Sequence, residues 1–300
     1  MMESLYVNGN RYEFVTNYKE NKQLRESFNN LTRKTYGFDF EKWYEDGYWK
    51  DNYIPYSLVH EGKVISNVSV NIMDFIILGE KKRYIQIGTV MTDRKYQGNG
   101  LSRILMQKVL DQWEDKCDSL YLFANKEVLN FYPKFGFTSE NEYQYSIDIR
   151  GKSYLNNKRK MDMNKEEDIK LLCNIIPNSK DLWKISMINN TSLVMFYCTS
   201  FMKDSIYHIE ELDAIAIADY DEDTIYLHDI FSIKNVKLHS VINHLATKDI
   251  KNVILGFTPN SVDNYEGSLL KDEDNTLFIK DGKGNPFKSN KLMFPILSHA

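Results

Sequence analysis

The spacing of apolar side chains changes several times along this chain, and each change predicts an element. Residues 17–37, NYKENKQLRESFNNLTRKTYG, carry apolar positions at helical intervals and end on Gly37, which predicts a helix; FDFEKWYEDGYW predicts a shorter one. The pattern then becomes that of strands. IPYSLVHEGKVISNVSVNIMDFIIL reads as two strands turning at Glu61 and Gly62, and GEKKRYIQIGTVMT as a third, entered through a charged turn. In VMTDRKYQGNGLSRILM the spacing switches again. Tyr84 to Met91 is rich in Ile, Val, Thr and Tyr, whereas Leu101, Ile104, Leu105, Val109 and Trp113 fall on one helical face. Gly98 and Gly100 therefore sit at a strand-to-helix turn, which aims backbone N–H groups and the positive end of the helix dipole at one point and suits a phosphate. SLYLFAN predicts another strand, KEVLNFYPKFGF a short helix ending near Pro133 and Gly136, and EYQYSIDI, in strict alternation, the strand that closes this half.

The apolar pattern lapses over residues 151–163, GKSYLNNKRKMDM, which divides the chain into domains at 1–150 and 160–300. The second half repeats the order more faintly. MNKEEDIKLLCNII predicts a helix, YHIEEL and LDAIAIADY strands, and TIYLHDIF a strand followed by the helix VKLHSVINHLATK and the strand VILGFTP. Its strand-to-helix junction, FSIKNVKLHS, holds no glycine, and bulky side chains there block the close backbone approach a pyrophosphate needs. The predicted class is α/β (α+β): two related domains in tandem, each a mixed, mostly antiparallel sheet flanked by helices, the second without a cofactor loop.

Composition narrows the chemistry. The length suits about two domains, and the apolar and charged fractions, 42% and 27%, are those of a globular protein with a substantial core. A net charge of −4 with the two signs interspersed leaves no broad basic face, which argues against nucleic acid as a partner. Cys117, Cys173 and Cys198 are far apart and form no CxxC pair, so neither a disulfide framework nor a zinc site is expected, and a reducing cytoplasm is. The first residues carry no apolar signal core, and no run approaches the ~18 apolar residues of a membrane span, so no membrane partner is expected. Nothing in the sequence fixes an oligomeric state.

Taken together, VMTDRKYQGNGLS and NKEVLNFYPKFGF resemble the GNAT superfamily of N-acetyltransferases. The superfamily's acetyl-CoA signature is Gln or Arg, two residues, Gly, one residue, Gly or Ala. Gln97, Gly98, Asn99, Gly100, Leu101, Ser102 matches it except at the last position, where serine is still small enough to spare the turn. The resemblance implies acetyl-CoA as cofactor, its pyrophosphate cradled by the backbone of Gln97 to Ser102 and of Arg103, and its pantetheine arm paired with the strand edge at Val90, Met91 and Thr92. It also implies that Asn125 and Phe131 meet the cofactor arm and that Tyr132 lies beside the thioester sulfur, in a segment similar to the family's N…FY…GF. Either motif alone is a weak signal; joined at this interval on a strand–helix–strand unit they are specific. The likeness covers residues 1–150 well and 160–300 in outline, an arrangement similar to mycothiol-synthase-like proteins and to the enhanced-intracellular-survival acetyltransferases, the third domain of the latter not being expected here.

Acetyl transfer from a thioester to an amine needs a neutral amine, stabilisation of an oxyanion and a proton for the departing thiolate. Unpaired N–H groups at Val90 to Thr92 would serve the second need, and Tyr132 the third as general acid, a phenol near pKa ~10 facing a thiol near ~8.5. The plainer reading makes Tyr132 a packed aromatic and the glycines an ordinary turn. The base does not identify itself: Glu61 belongs to a turn, Asp74 to a strand, and His60 is as readily structural. The aromatic cluster Phe38, Trp43, Tyr44, Tyr48 and Trp49 either packs a core or lines a groove for the amine. The expected activity is N-acetylation of a primary amine of a small molecule or peptide; the alternative is a non-catalytic acyl-CoA sensor, which binds without turnover. A phosphate-loop nucleotidase is disfavoured, since no Gly-Lys-Ser/Thr follows the glycines. The end of the chain, NKLMFPILSHA, predicts a strand tied into the second sheet. Likeness to the enhanced-intracellular-survival enzymes implies the α-carboxylate of Ala300, with His299 beside it, as the base.

Overall fold

The computed structural model of the chain describes residues 2–151, 153–272 and 274–299. It opens with a hairpin that the spacing did not announce, β1 (Met2–Val7) and β2 (Asn10–Thr16), turning through Asn8 and Gly9 at positive φ. Helix α1 (Lys22–Tyr36) begins where the Asn21 side chain accepts from the Leu24 N–H, and ends where Gly37 takes φ 84. Then follow α2 (Glu41–Glu45), β3 (Tyr53–His60), β4 (Lys63–Ile77), β5 (Glu80–Thr92), α3 (Leu101–Trp113) and β6 (Ser119–Ala124), as the spacing predicts. The helix expected over KEVLNFYPKFGF does not form. Turns give way to one 3₁₀ segment, Tyr132–Phe135, because Pro133 carries no donor and Gly136 bends left-handed at φ 84. The half ends in β7 (Thr138–Ser139) and β8 (Tyr143–Asp148).

The remaining elements are β9 (Arg159–Lys160), α4 (Glu166–Ile175), β10 (Ile185–Ile188), α5 (Thr191–Thr199), β11 (Ile206–Ile209), β12 (Ala214–Asp221), β13 (Thr224–Ser232), α6 (Leu238–Leu245), β14 (Asn252–Leu255), β15 (Glu266–Leu269) and β16 (Thr276–Asp281). Among the described residues the strands form two sheets. One has the order β1-β2-β3-β4-β5-β6-β16-β7 with β10 added along β4, and the other β15-β8-β14-β13-β12-β11-β9. Pairing is antiparallel except for β5 with β6 and β13 with β14, each joined through a helix. The fold is thus α/β, two mostly antiparallel sheets flanked by helices. None of the described helices is long and apolar enough to cross a membrane.

The sheets exchange strands. β8, expected to close the first sheet, pairs with β14 and β15 of the second, while β16, from near the chain's end, lies between β6 and β7 of the first. Alternation records which face of a strand is buried, not which strand it pairs with. The terminal run is also not the strand expected of it. Leu292 to Leu297 runs as an irregular segment into a 3₁₀ turn over Ile296–Ser298, wedged against the first sheet, with Phe294 stacked on Tyr121 at 4.2 Å. Its backbone groups find partners singly. The Phe294 N–H donates to the Glu142 carboxylate at 2.8 Å, the Met293 N–H to Thr258 Oγ1 at 2.8 Å, and the Ile296 N–H to the Gly256 carbonyl at 2.9 Å.

Glu142 is buried at this crossing, and desolvation pushes its carboxyl up to about 8 although the Phe294 N–H opposes the shift. A folded-state value above the unfolded one means that stability is fully present below the unfolded pKa of ~4.3 and is lost as pH rises through the folded value, by up to roughly 1.4 kcal/mol per pH unit. Glu142→Gln keeps an acceptor for Phe294 and removes the titration. In chemical denaturation the variant should gain on the wild type with each step upward from pH 5 to about 8 and level off above it. Parallel stability curves for the two proteins would refute a buried, titrating Glu142.

Candidate active site

β5 and β6 pair only from Tyr84–Gln86 against Ser119–Tyr121 and then part. The cause lies on the other side of β5. Its register with β4 slips between Asn67 and Ser69, so that Thr89 and Val90 together face Val68. Thr89 takes φ 49, which for a β-branched residue costs about 1–3 kcal/mol. A polar network holds it there. Thr89 Oγ1 lies 2.6 Å from the Tyr53 hydroxyl, and Asn67 Nδ2 donates to the Thr89 carbonyl and to Ser69 Oγ, each at 2.9 Å. Ser57, fully buried, donates to Asn67 Oδ1 at 2.8 Å and so fixes that amide. The parted strands form a V that opens into a cleft of about 730 Å³.

At the mouth of the V stands the glycine loop. Gly98 and Gly100 both take φ 77, and a Cβ built on either would meet nothing within 4 Å. Gly100 caps α3 with no side-chain hydrogen bond, so the N–H groups of Leu101, Ser102 and Arg103 are left facing outward, as the first turn of any uncapped helix leaves them. The loop is braced from behind: Gln97 Nε2 donates to the Thr92 carbonyl at 3.2 Å, and the Ser102 and Thr92 hydroxyls lie 2.7 Å apart. Gln97, Gly98 and Gly100 to Arg103 line the cleft, as do Val90, Met91 and Thr92 on the strand edge. Asn99 does not; its amide turns back to the Tyr96 carbonyl at 3.0 Å.

Asn125, Phe131 and Tyr132 line the opposite side. Asn125 Oδ1 accepts from the Glu127 N–H at 3.1 Å and so shapes the turn that carries Phe131 and Tyr132 back over the V. Tyr132 is buried against Phe131, Phe137 and Phe278, which pushes its phenol up to about 12, and among the described residues its hydroxyl has no partner. His60, Glu61 and Asp74 stand outside the cleft, and Asp74 is paired with Arg83 at 2.8 Å. His299 does line it. Its ring stacks on Phe123 at 3.7 Å, its carbonyl accepts from the Tyr197 hydroxyl, and among the described residues its shielded Nε2 has no partner. Burial pulls that imidazole down to about 4, so it is neutral at pH 7. Ala300 lies outside the described residues.

The expected aromatic cluster divides. Phe38 and Trp43 line the cleft, whereas Trp49 is buried in the core, Tyr44 lies under the Arg25 guanidinium at 3.7 Å, and Tyr48 faces Cys173. Its place is taken by residues the sequence did not mark: Tyr36, Phe40 and Tyr53 from the first half, and Phe196, Tyr197 and Phe201 from the second. Trp43 ties the two sources together by donating from Nε1 to the Ser192 carbonyl at 2.8 Å. No local pattern announces this wall, because α5 is apolar all round and reads simply as interior.

The sequence model of the acetyltransferase (GNAT) family matches residues 22–137, the stretch that carries the V, the glycine loop and Tyr132. No curated protein matches the chain. Among solved structures, a conserved protein of Enterococcus faecalis described as a probable N-acyltransferase superposes with a TM-score of 0.61 at 12% identity, covering 91% of this chain and 72% of that one. A GCN5-related N-acetyltransferase from Kribbella flavida gives 0.58 at 12% identity, covering 91% and 72%. Eis1 from Mycobacterium abscessus gives 0.58 at 12% identity, covering 90% and 74%. Identities so low speak for the fold, and that shared fold extends over both sheets. Residues 22–137, with the parted strands and glycine loop just described, are thus similar to a GNAT acetyltransferase domain, and both sheets together share the fold of these solved structures.

Proposed function

We propose that the protein transfers the acetyl group of acetyl-CoA directly to a primary amine, residues 1–150 holding the cofactor and residues 160–300 completing the acceptor side. The observation that supports it is continuity: one cleft runs from the uncapped start of α3, along the free edge of β5, past Tyr132, to the aromatic wall. When bound, acetyl-CoA supplies an activated acetyl group. The residues present fit it. Space stands open above Gly98 and Gly100, outward N–H groups suit a pyrophosphate, and the strand edge at Val90 to Thr92 can pair with an extended arm. The Val90 carbonyl on that edge accepts the Tyr36 hydroxyl at 2.9 Å, a bond an incoming arm would share or displace. The braced bulge at Thr89 keeps the backbone rigid, which oxyanion stabilisation requires. Tyr132 keeps its proton at rest, since burial raises its pKa, and can give that proton to the sulfur as it leaves. His299, lowered by burial, is too weak a base to strip an ammonium, so the amine must arrive neutral.

A bulky residue at Gly100 would strain a left-handed backbone whether or not a cofactor binds there, so Ser102 is the better probe. Ser102→Glu places a carboxylate in the first turn of α3, which favours the helix but repels a pyrophosphate. CoA affinity by calorimetry should fall about tenfold or more, ~1.4 kcal/mol, with thermal unfolding little changed. Unaltered affinity would remove the cofactor assignment.

Tyr132→Phe should lower kcat roughly 10²- to 10⁴-fold while CoA affinity stays the same. In the wild type, kcat/KM should climb with pH toward the amine's own pKa, without a falling limb below about pH 11, because the phenol ionises only near its raised value of about 12. Full activity in the variant would leave Tyr132 a packing residue. CoA binding without turnover on any amine would favour a sensor instead.

A further inference from the structure

The acceptor side of the cleft carries its own selection, provided the acetyl-transfer reading above holds. Its walls come from both halves of the chain. Phe38, just after α1, meets Phe201, just after α5, edge to face at 5.4 Å and 88°, and Phe196 of α5 lies 6.0 Å from Phe38 and 5.3 Å from Phe40. Phe201 is 59% exposed, a large ring left in water at the cleft. Charge is sparse here. Among the described residues lining the cleft, Asp274 is the sole carboxylate, and the sole guanidinium or ammonium, Arg103, stands at the glycine loop. A polycation would bring several charges to a lining that holds one carboxylate among the described residues, and an acidic acceptor would press its anion against aromatic faces. One amine on a flat apolar body meets neither obstacle.

The geometry points to an arylalkylamine, a primary amine joined to an aromatic ring by a short alkyl linker, as the acceptor. Its ring lies against Phe38, Phe196 and Phe201, which set specificity, and Asp274 draws the protonated amine in. The step balances without a further reactant. After the amine has released its proton to water, its nitrogen bonds to the thioester carbonyl carbon and the carbon–sulfur bond breaks. The sulfur takes the Tyr132 proton, and the proton the nitrogen sheds on becoming an amide returns through water to Tyr132. The products are the N-acetylated amine and free CoA thiol.

Calorimetry of the cofactor-free full chain with 2-phenylethylamine, ethylamine and spermidine reads the site without chemistry. Saturable binding of the first is expected, with the other two failing to bind at about tenfold higher concentration. With acetyl-CoA present, thiol release should give kcat/KM on the order of 100-fold higher for 2-phenylethylamine than for ethylamine. Phe201→Ala, at an exposed position that the core does not need, should raise KM for 2-phenylethylamine about tenfold with kcat held, and Phe196→Ala should narrow the same ratio. Equal rates with ethylamine, a preference for spermidine or peptide N-termini, or a ring preference that survives both variants would overturn the inference. Binding of 2-phenylethylamine with no thiol released would count against acetyl transfer and leave this site standing. Turnover of ethylamine and spermidine without ring preference would do the reverse.

Discussion

One strained residue sets the geometry on which the cleft depends. Thr89 lies in a backbone region that a β-branched side chain avoids, and it stays there because Asn67, Tyr53 and, through Asn67, Ser57 bind it from a buried position. With Thr89 and Val90 together opposite Val68, β5 gains a residue and turns away from β6 beyond Gln86. Everything downstream follows from that turn: an edge free to pair, a loop delivered to the mouth of the V, and α3 pointing its uncapped end across it. A flat, fully paired β5 would place the same glycine loop above a closed sheet, with nowhere for an extended arm to lie.

The second constraint is reciprocal strand exchange. β16 pairs with β6 along Ser119 to Ala124, so the strand forming one limb of the V is itself covered by residues from near the chain's end. β8 in turn supplies the second sheet with a partner for β14. The polar crossing at Glu142 and the apolar stack of Phe294 on Tyr121 hold the returning segment between them. Neither sheet is complete within one half of the chain. Retention of a half without a glycine loop is therefore explained by architecture before any catalytic duty is assigned to it, and the aromatic wall from α5 adds a reason at the cleft itself.

What could be read from the residues was local. Apolar and β-branched runs bounded by turn signals located β3 to β6, helical spacing located α1 and α3, and the glycines at 98 and 100 marked a turn whose φ of 77 at each only glycine adopts readily. What could not be read was pairing across distance. EYQYSIDI alternates equally well for either sheet, and LMFPIL is apolar enough for a strand although Pro295 and its single-contact hydrogen bonds make it a wedge. The aromatic wall of the cleft was legible only in part, through Phe38 and Trp43, for the same reason. Trp49 and Phe201 are both aromatic, and only the fold decides that the first is 3% exposed in a core and the second stands open at the cleft. Thr89 gave no signal at all, since the residues that hold it belong to other strands.

The two parallel strand pairs make the point by their difference. β13, like β5, carries a register slip, between Ile217 and Ala218 of its neighbour, so a bulge alone does not open a sheet. β14 nevertheless stays with β13 along its whole length, and the Gly256 N–H continues the ladder to the Leu227 carbonyl at 2.8 Å. A Cβ at Gly256 would fall 2.9 Å from the His228 backbone and from Ile296, so the glycine there serves close approach rather than a turn. The Ile296 N–H then takes the Gly256 carbonyl, and the chain's own terminal segment occupies the end of that pair. In the first half β6 runs on to Ala124 without β5, and the corresponding room is left to the cleft. Two units of the same strand–helix–strand order thus diverge through one choice, whether the parallel strands part or stay together, and that choice rests on the side chains behind the bulge.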